Sequence, residues 1–239
     1  MKIEVQPDED TAARKAAVII AADARAAVPA RGRFIMAVSG GRTPWLMLRA
    51  LADEQLPWEN VHVVQVDERA APAADPDRNL THLRESLLDH APLRPDHIHA
   101  MPVEAADLDR AAGQYALTLQ EVAGSPPVLD LVHLGLGADG HTASLVPGDP
   151  VLDMTDADVA VTGPYQGRRR MTLTFPIINR SRRVLWLVTG REKAGTLVRL
   201  RDGDPSIPAS RVRQDLALIL ADSVAAERLG TNETLEALN

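Results

Sequence analysis

Phe34-Ile35-Met36-Ala37-Val38-Ser39-Gly40-Gly41-Arg42-Thr43-Pro44 is the stretch that decides the fold. Its first five residues are apolar on both faces of an extended chain, as a parallel strand covered by helices on either side must be. Two glycines then allow a sharp turn. Pro44 suits the first turn of a helix, where its missing N–H is no loss. Strand, glycine turn and helix in that order make half of a βαβ unit. The alternation continues in both directions. Asp8 to Thr11 can cap a helix running to about residue 28. Downstream, the pattern predicts strands over 61–66, 98–101, 129–136, 171–175, 184–188 and 216–220. Between them it predicts helices over 44–52, 80–88, 105–122 and 191–200, with a closing helix over 222–229. The expectation is a single α/β domain, 1–239, with a mainly parallel, Rossmann-like sheet flanked by helices.

Composition limits what such a domain can do. The chain has 239 residues, 45% hydrophobic and 25% charged, ordinary values for a globular protein. Twenty-six Lys and Arg against 33 Asp and Glu give a net charge of −7. That balance argues against general affinity for nucleic acid or anionic membrane. Three Trp, two Tyr and two Phe are too few for a base-stacking platform. With no Cys there is no disulfide, thiolate metal site or Cys nucleophile. The longest apolar run, 16–22, is too short to span a bilayer. The N-terminal residues lack a basic region with a cleavage site, so the expected compartment is the cytoplasm. The sequence sets no oligomeric state; a monomer is the working expectation.

In open parallel sheets, ligands bind beyond the carboxyl ends of the strands. Here those positions hold Ser39-Gly40-Gly41-Arg42-Thr43, Asp67-Glu68-Arg69, Gly137-Ala138-Asp139-Gly140-His141 and Gly190-Arg191-Glu192-Lys193. Each is polar or charged. In the first, glycines free backbone N–H groups, Ser39 and Thr43 add hydroxyls, and a helix N-terminus favours an anion such as phosphate. The same segment also reads as a tight connector with Thr43 as a cap. Its spacing and lack of Lys exclude a P-loop.

The segment Gly135-Leu136-Gly137-Ala138-Asp139-Gly140 fits G-x-G-x-x-G, but Pro147-Gly148 interrupts the long helix that a dinucleotide site needs. The sharper reading is Asp139-Gly140-His141: an imidazole on a glycine turn as general base, oriented by a carboxylate two residues earlier. The plainer alternative is a turn Asp beside a surface His. Arg170, from the run 168–170 before a strand, can clamp a phosphate. Lys193 stands in the first turn of a helix, against the dipole. Two other features read as structural. His97-x-His99 lacks a second ligand pair and is expected to be neutral and exposed. Trp45, Trp58 and Trp186 are expected in core or helix–sheet contacts.

Taken together, SGGRTP at 39–44, Asp67-Glu68-Arg69, Asn79, GLGADGHTASLVPG at 135–148, RMTLT at 170–174, GREKA at 190–194 and LILAD at 218–222 occur in the order seen in 6-phosphogluconolactonases. The chain resembles that family from about residue 30 onward. The resemblance implies hydrolysis of 6-phosphoglucono-δ-lactone to 6-phosphogluconate in the oxidative pentose phosphate pathway, without a cofactor. It implies the sheet shared with glucosamine-6-phosphate deaminase and ribose-5-phosphate isomerase. By position His141 matches the family's base and Asp139 its partner. Ser39, Gly40, Gly41, Thr43, Arg170 and Lys193 match phosphate contacts. Asp67 and Asn79 fall in the substrate-binding motifs, and Arg69 matches a substrate-binding Arg that meets either the phosphate or the lactone.

Two positions depart from the pattern: Arg78 stands where many members have Ser, and Val146 where many have Phe. The related deaminases carry Glu at position 146, and a valine cannot transfer a proton. With no G-x-S-x-G nucleophile elbow, attack by a water deprotonated by His141 is the expected route. A sugar-phosphate isomerase or deaminase is the competing enzyme class, and Val146 counts against it. A non-catalytic sugar-phosphate sensor is the other alternative, and an intact Asp139-Gly140-His141 counts against that.

Overall fold

The computed structural model of the protein describes residues 1–230. After β1 (Lys2–Gln6), Asp8 caps α1 (Glu9–Arg31) by accepting the Thr11 N–H at 2.7 Å. The carboxylate satisfies a donor that the first helical turn leaves unpaired, and Glu9 and Asp10 add favourable charge beside it. The buried face of α1 is mostly alanine, from Ala12 to Ala27, so the helix can lie close to the sheet. Next come β2 (Phe34–Val38), α2 (Arg42–Ala52), β3 (Val61–Gln65), β4 (Asp67–Arg69), α3 (Asn79–Leu83) and β5 (Ile98–His99). They are followed by α4 (Leu108–Ala123), β6 (Leu131–Leu134), β7 (Val159–Val161), β8 (Arg170–Leu173) and α5 (Phe175–Arg180). The series ends with β9 (Val184–Val188), α6 (Ala194–Arg201) and β10 (Ala217–Asp222).

Seven strands form one sheet in the order β1-β10-β9-β6-β2-β3-β5, and each neighbouring pair is parallel. Side chains alternate between two cores, as the period of a strand requires. Phe34, Met36 and Val38 pack on the side of α1 and α2, together with Leu185, Leu187, Leu218 and Leu220. Ile35 and Ala37 face the other way, with Val132, Leu134, Trp186 and Ile219, toward α4, α5 and α6. The strand order reverses between β2 and β6, so the crevice above that pair is the natural ligand position.

The parallel α/β reading holds for this sheet, with corrections elsewhere. Asp67-Glu68-Arg69 is not a loop after β3. It is β4, the edge of a second, three-stranded antiparallel sheet, pairing Asp67 with Thr172 and Arg69 with Arg170. The strand expected at 171–175 belongs to that sheet as well. A charged three-residue strand has no apolar signature; backbone pairing and a wholly buried Glu68 define it. The segment expected as a closing helix at 222–229 forms turns. Asp222 caps it by accepting from the Ala225 N–H, but Leu229 closes back on Ala226, so the helix does not propagate. The helix expected over 80–88 is α3 followed by a π-helical turn at Arg84–Leu88. Strands β1 and β7 carry no clear sequence signal: β1 is an edge strand with polar Lys2, Glu4 and Gln6.

The histidine pair also differs from expectation. His97 and His99 are half-buried and meet a third imidazole. His62 stacks on His97 at 3.8 Å between ring centroids, and its Nδ1 lies 3.2 Å from His99 Nε2. Burial first, then the neighbouring imidazoles, pushes His62 down to about 4. Trp58 and Trp186 are core residues as expected, while Trp45 stacks on His82 at 4.0 Å.

Candidate active site

A cavity of about 680 Å³ opens above the carboxyl ends of β2, β6, β9 and β10. The turn after β2 forms its floor. There the Ser39 N–H donates to His133 Nδ1 at 3.3 Å, and Ser39 Oγ donates to the His133 carbonyl at 3.0 Å. His133 lies wholly buried in β6, and burial pushes it down to about 4, so it serves as a neutral acceptor. Thr43 Oγ1 lies 2.6 Å from Thr189 Oγ1, which ties this turn to the end of β9. Gly40 is required for space: a Cβ there would stand 2.0 Å from Asn79 Oδ1. The turn therefore presents main-chain N–H groups at the start of α2, while the Ser39 hydroxyl proton is used internally.

On one wall stand His141 and Asp139. The His141 Nδ1 lies 2.5 Å from Asp139 Oδ1, which also accepts the His141 backbone N–H at 3.1 Å. This arrangement fixes the imidazole with Nε2 as the nitrogen available for chemistry. Asp139 is partly buried, which alone would raise its pKa. The backbone N–H of His141, its imidazole and the Tyr165 hydroxyl outweigh that and hold it below the ordinary carboxylate value. The close pair depends on Gly137, where a Cβ would come within 2.1 Å of His141 Nδ1.

The opposite wall comes from the small sheet and α3. Asp67 accepts the Ser144 hydroxyl at 2.5 Å and the Asn79 Nδ2 at 3.2 Å. Asn79 Oδ1 in turn accepts from Arg69, whose guanidinium also donates to the Asp77 carbonyl at 2.9 Å. Glu68, beneath them, accepts the backbone N–H groups of Arg69, Asn79 and Leu80 and the Gln65 amide. These bonds hold the start of α3, and so Asn79, toward the cavity. Arg170 is largely buried, 4.0 Å from Asp67, and its Nε has no partner among the described residues. Burial holds it below the usual guanidinium value. Lys193 stands immediately before α6, and among the described residues its ammonium is unpaired.

Ser39, Gly40, Gly41, Thr43, Asp67, Arg69, Asn79, His141, Arg170 and Lys193 all line this one cavity, with Asp139 directly behind His141. Sequence reasoning missed the supporting residues. His133 was visible as one imidazole in an apolar strand, and Glu68 as a charge beside a buried strand end. Tyr165, which donates to Asp139 Oδ2 at 3.2 Å, has no spacing signal. Asp222, which accepts the Gly190 N–H, reads only as a strand terminus. Val146, by contrast, is buried and does not line the cavity. The departing Arg78 is buried too, paired with Glu104 and 3.5 Å from Glu68. Chemically, the cavity offers a proton acceptor on one side and main-chain donors with cations on the other, a fit for a small phosphorylated molecule.

Fold and cavity define a sugar-phosphate enzyme of the α/β class. Residues 7–220 match the family described as glucosamine-6-phosphate isomerases/6-phosphogluconolactonase, and the chain belongs to it. A 6-phosphogluconolactonase from Synechocystis is 38% identical over 236 residues, covering 95% of this chain and 98% of that one. The solved 6-phosphogluconolactonase of Trypanosoma brucei superposes with a TM-score of 0.82 at 26% identity, covering 96% of this chain and 98% of that one. A monomeric glucosamine-6-phosphate deaminase, at 21% identity and a TM-score of 0.83, covers 95% of this chain and 100% of its own, and shares the fold.

Proposed function

We infer that the protein hydrolyses 6-phosphoglucono-δ-lactone to 6-phosphogluconate, the lactonase step of the oxidative pentose phosphate pathway. The observation that carries this reading is the near full-length likeness to 6-phosphogluconolactonases, in a chain whose His141–Asp139 pair opens on the same cavity as Arg170 and Lys193. In this mechanism His141 Nε2 takes a proton from water as its oxygen attacks the lactone carbonyl. The tetrahedral intermediate collapses with cleavage of the bond to the ring oxygen. The imidazolium returns its proton to that oxygen, giving the free acid chain and neutral His141. Asp139 stabilises the charged imidazole in between. Phosphate contacts at the main chain of the Gly40–Thr43 turn, Arg170 and Lys193 position the ring remotely. Asp67, Arg69 and Asn79 complete the substrate wall.

The reaction needs no cofactor, and no group of three His, Asp or Glu among the described residues is disposed to hold a metal. Activity is therefore expected to survive EDTA; loss on chelation with recovery on adding a divalent ion would overturn that part. We place the enzyme in the cytoplasm as a monomer, with 1–239 as one domain. No helix among the described residues is long and apolar enough to cross a membrane. The deciding assay is pH-stat titration with freshly made 6-phosphogluconolactone. Acid release well above the spontaneous rate is expected, and a rate equal to the spontaneous one would sink the reading.

A further inference from the structure

We propose that Tyr165 is a positioning residue for the His141–Asp139 pair, clamping the Asp139 carboxylate and joining it to Arg170. This deepens the lactonase reading and rests on it. Tyr165 sits at the tip of the hairpin between β7 and β8, where the backbones of Tyr165 and Arg168 bond to each other at 3.0 and 3.3 Å. Between them Gln166 and Gly167 have φ of 51° and 80°. Two successive left-handed residues match the twist of a two-residue hairpin, so the tip is a defined turn and not a loose loop. From it the phenol donates to Asp139 Oδ2 at 3.2 Å, while Oδ1 is engaged by the backbone N–H and the ring Nδ1 of His141. Both carboxylate oxygens are thus committed, and the plane of Asp139 cannot turn without breaking a bond on each side.

The same ring makes two further contacts. Its edge meets the His141 imidazole, with centroids 5.6 Å apart and planes at 63°. The Arg170 guanidinium lies 5.0 Å from its centroid, within cation–π range. Gln166, the next residue of the turn, accepts from Arg170 at 3.2 Å. One hairpin tip therefore touches the base, its carboxylate and the cation assigned to phosphate. Burial and the nearby Asp139 charge push the phenol above its ordinary value, so it remains a donor throughout the working range.

The consequence for chemistry has a definite sign. A hydrogen bond from Tyr165 draws charge away from Asp139; without it the carboxylate stabilises the imidazolium more strongly. The acid limb of the pH–rate profile then moves to higher pH. The neutral Tyr165 phenol faces Asp139, and the charged groups that share the cavity with the pair are Arg170 from the hairpin and Asp8, Glu9, Arg42, Asp67, Arg69, Glu192, Lys193 and Asp222 from the other elements. Of these, Tyr165→Phe alters the one that bonds to Asp139 and keeps the ring under Arg170.

The test is the pH dependence of kcat/KM for the phosphorylated lactone. Tyr165→Phe is expected to move the acid limb up by roughly half a pH unit, with KM near that of the wild type. Tyr165→Ala should move the limb likewise and also raise KM severalfold, as Arg170 loses its platform. Neither should shift the melting temperature much, because the hairpin tip is partly exposed. An active wild type whose profile superimposes on that of Tyr165→Phe overturns this inference alone. A wild type without lactonase activity overturns the functional reading beneath it.

Discussion

His141 is the residue on which the chemistry turns. His141→Ala is expected to lower kcat by about 10²- to 10⁴-fold while product affinity changes little, the range for loss of a general base. Steady-state kinetics and product titration check this, and a near-normal kcat would remove His141 from water activation. Asp139→Asn should do less harm, because the imidazole remains while its orientation suffers; an equal or greater loss would make Asp139 itself the proton acceptor. At this scale the sequence was informative for most residues that meet the cavity directly, while Asp222 at its rim reads only as a strand end. The glycine turn and the strand-end position marked His141 and Asp139. Among residues that act through others it marked Asp139 but not the supporting roles of Glu68 and Tyr165. Glu68 and Tyr165 gain their meaning from partners 11 and 26 positions away, Asn79 and Asp139, and no local pattern announces such pairs.

Arg170 and Lys193 belong to different elements, one opening β8 and the other preceding α6, yet both reach the cavity. If they share a phosphate, Arg170→Ala and Lys193→Ala should each cost about 2–5 kcal/mol of binding, by analogy with desolvated charge pairs. KM for the phosphorylated lactone should rise sharply, while slow hydrolysis of unphosphorylated gluconolactone barely changes. A uniform loss on both substrates would assign these residues to folding or to the chemical step. Element boundaries show why part of the fold was legible. The strands at 34–38 and 184–188 are buried on both faces and read directly as apolar runs. The small sheet did not, because β4 is three charged residues whose strand character comes from pairing with β8. The parallel architecture followed from the pattern, but the wall of the cavity built from the second sheet did not.

For the molecule as a whole, buried imidazoles set an acid limit. His133 has its pKa depressed to about 4 by complete burial, and His62 to about 4 by partial burial and its neighbours. An unfolded histidine takes up its proton near pH 6.5, and the native ones do not until about pH 4. Between these values the unfolded chain binds more protons, so stability falls as the pH drops through that window. For His133 the slope is about 1.4 kcal/mol per pH unit. Asp23, raised by burial, opposes this in part, whereas the depressed carboxylates of Asp96 and Asp204 act only below about pH 4. Urea midpoints at pH 7.5, 5.5 and 4.5 measure it; equal midpoints would mean these imidazoles titrate normally in the folded state.

Strand β1 pairs with β10 from Lys2–Leu218 to Gln6–Asp222, and its far end leads into Pro7, Asp8 and Glu9 at the rim of the cavity. A short, polar strand therefore masks the hydrogen-bonding edge of a strand that is buried along its whole length. Cutting away residues 1–6 would leave β10, with its run of Leu218, Ile219 and Leu220, as an open template for strands of other chains. Such a shortened protein is expected to self-associate with rising concentration in light scattering. If it stayed monodisperse, the first six residues would be dispensable as a guard against aggregation.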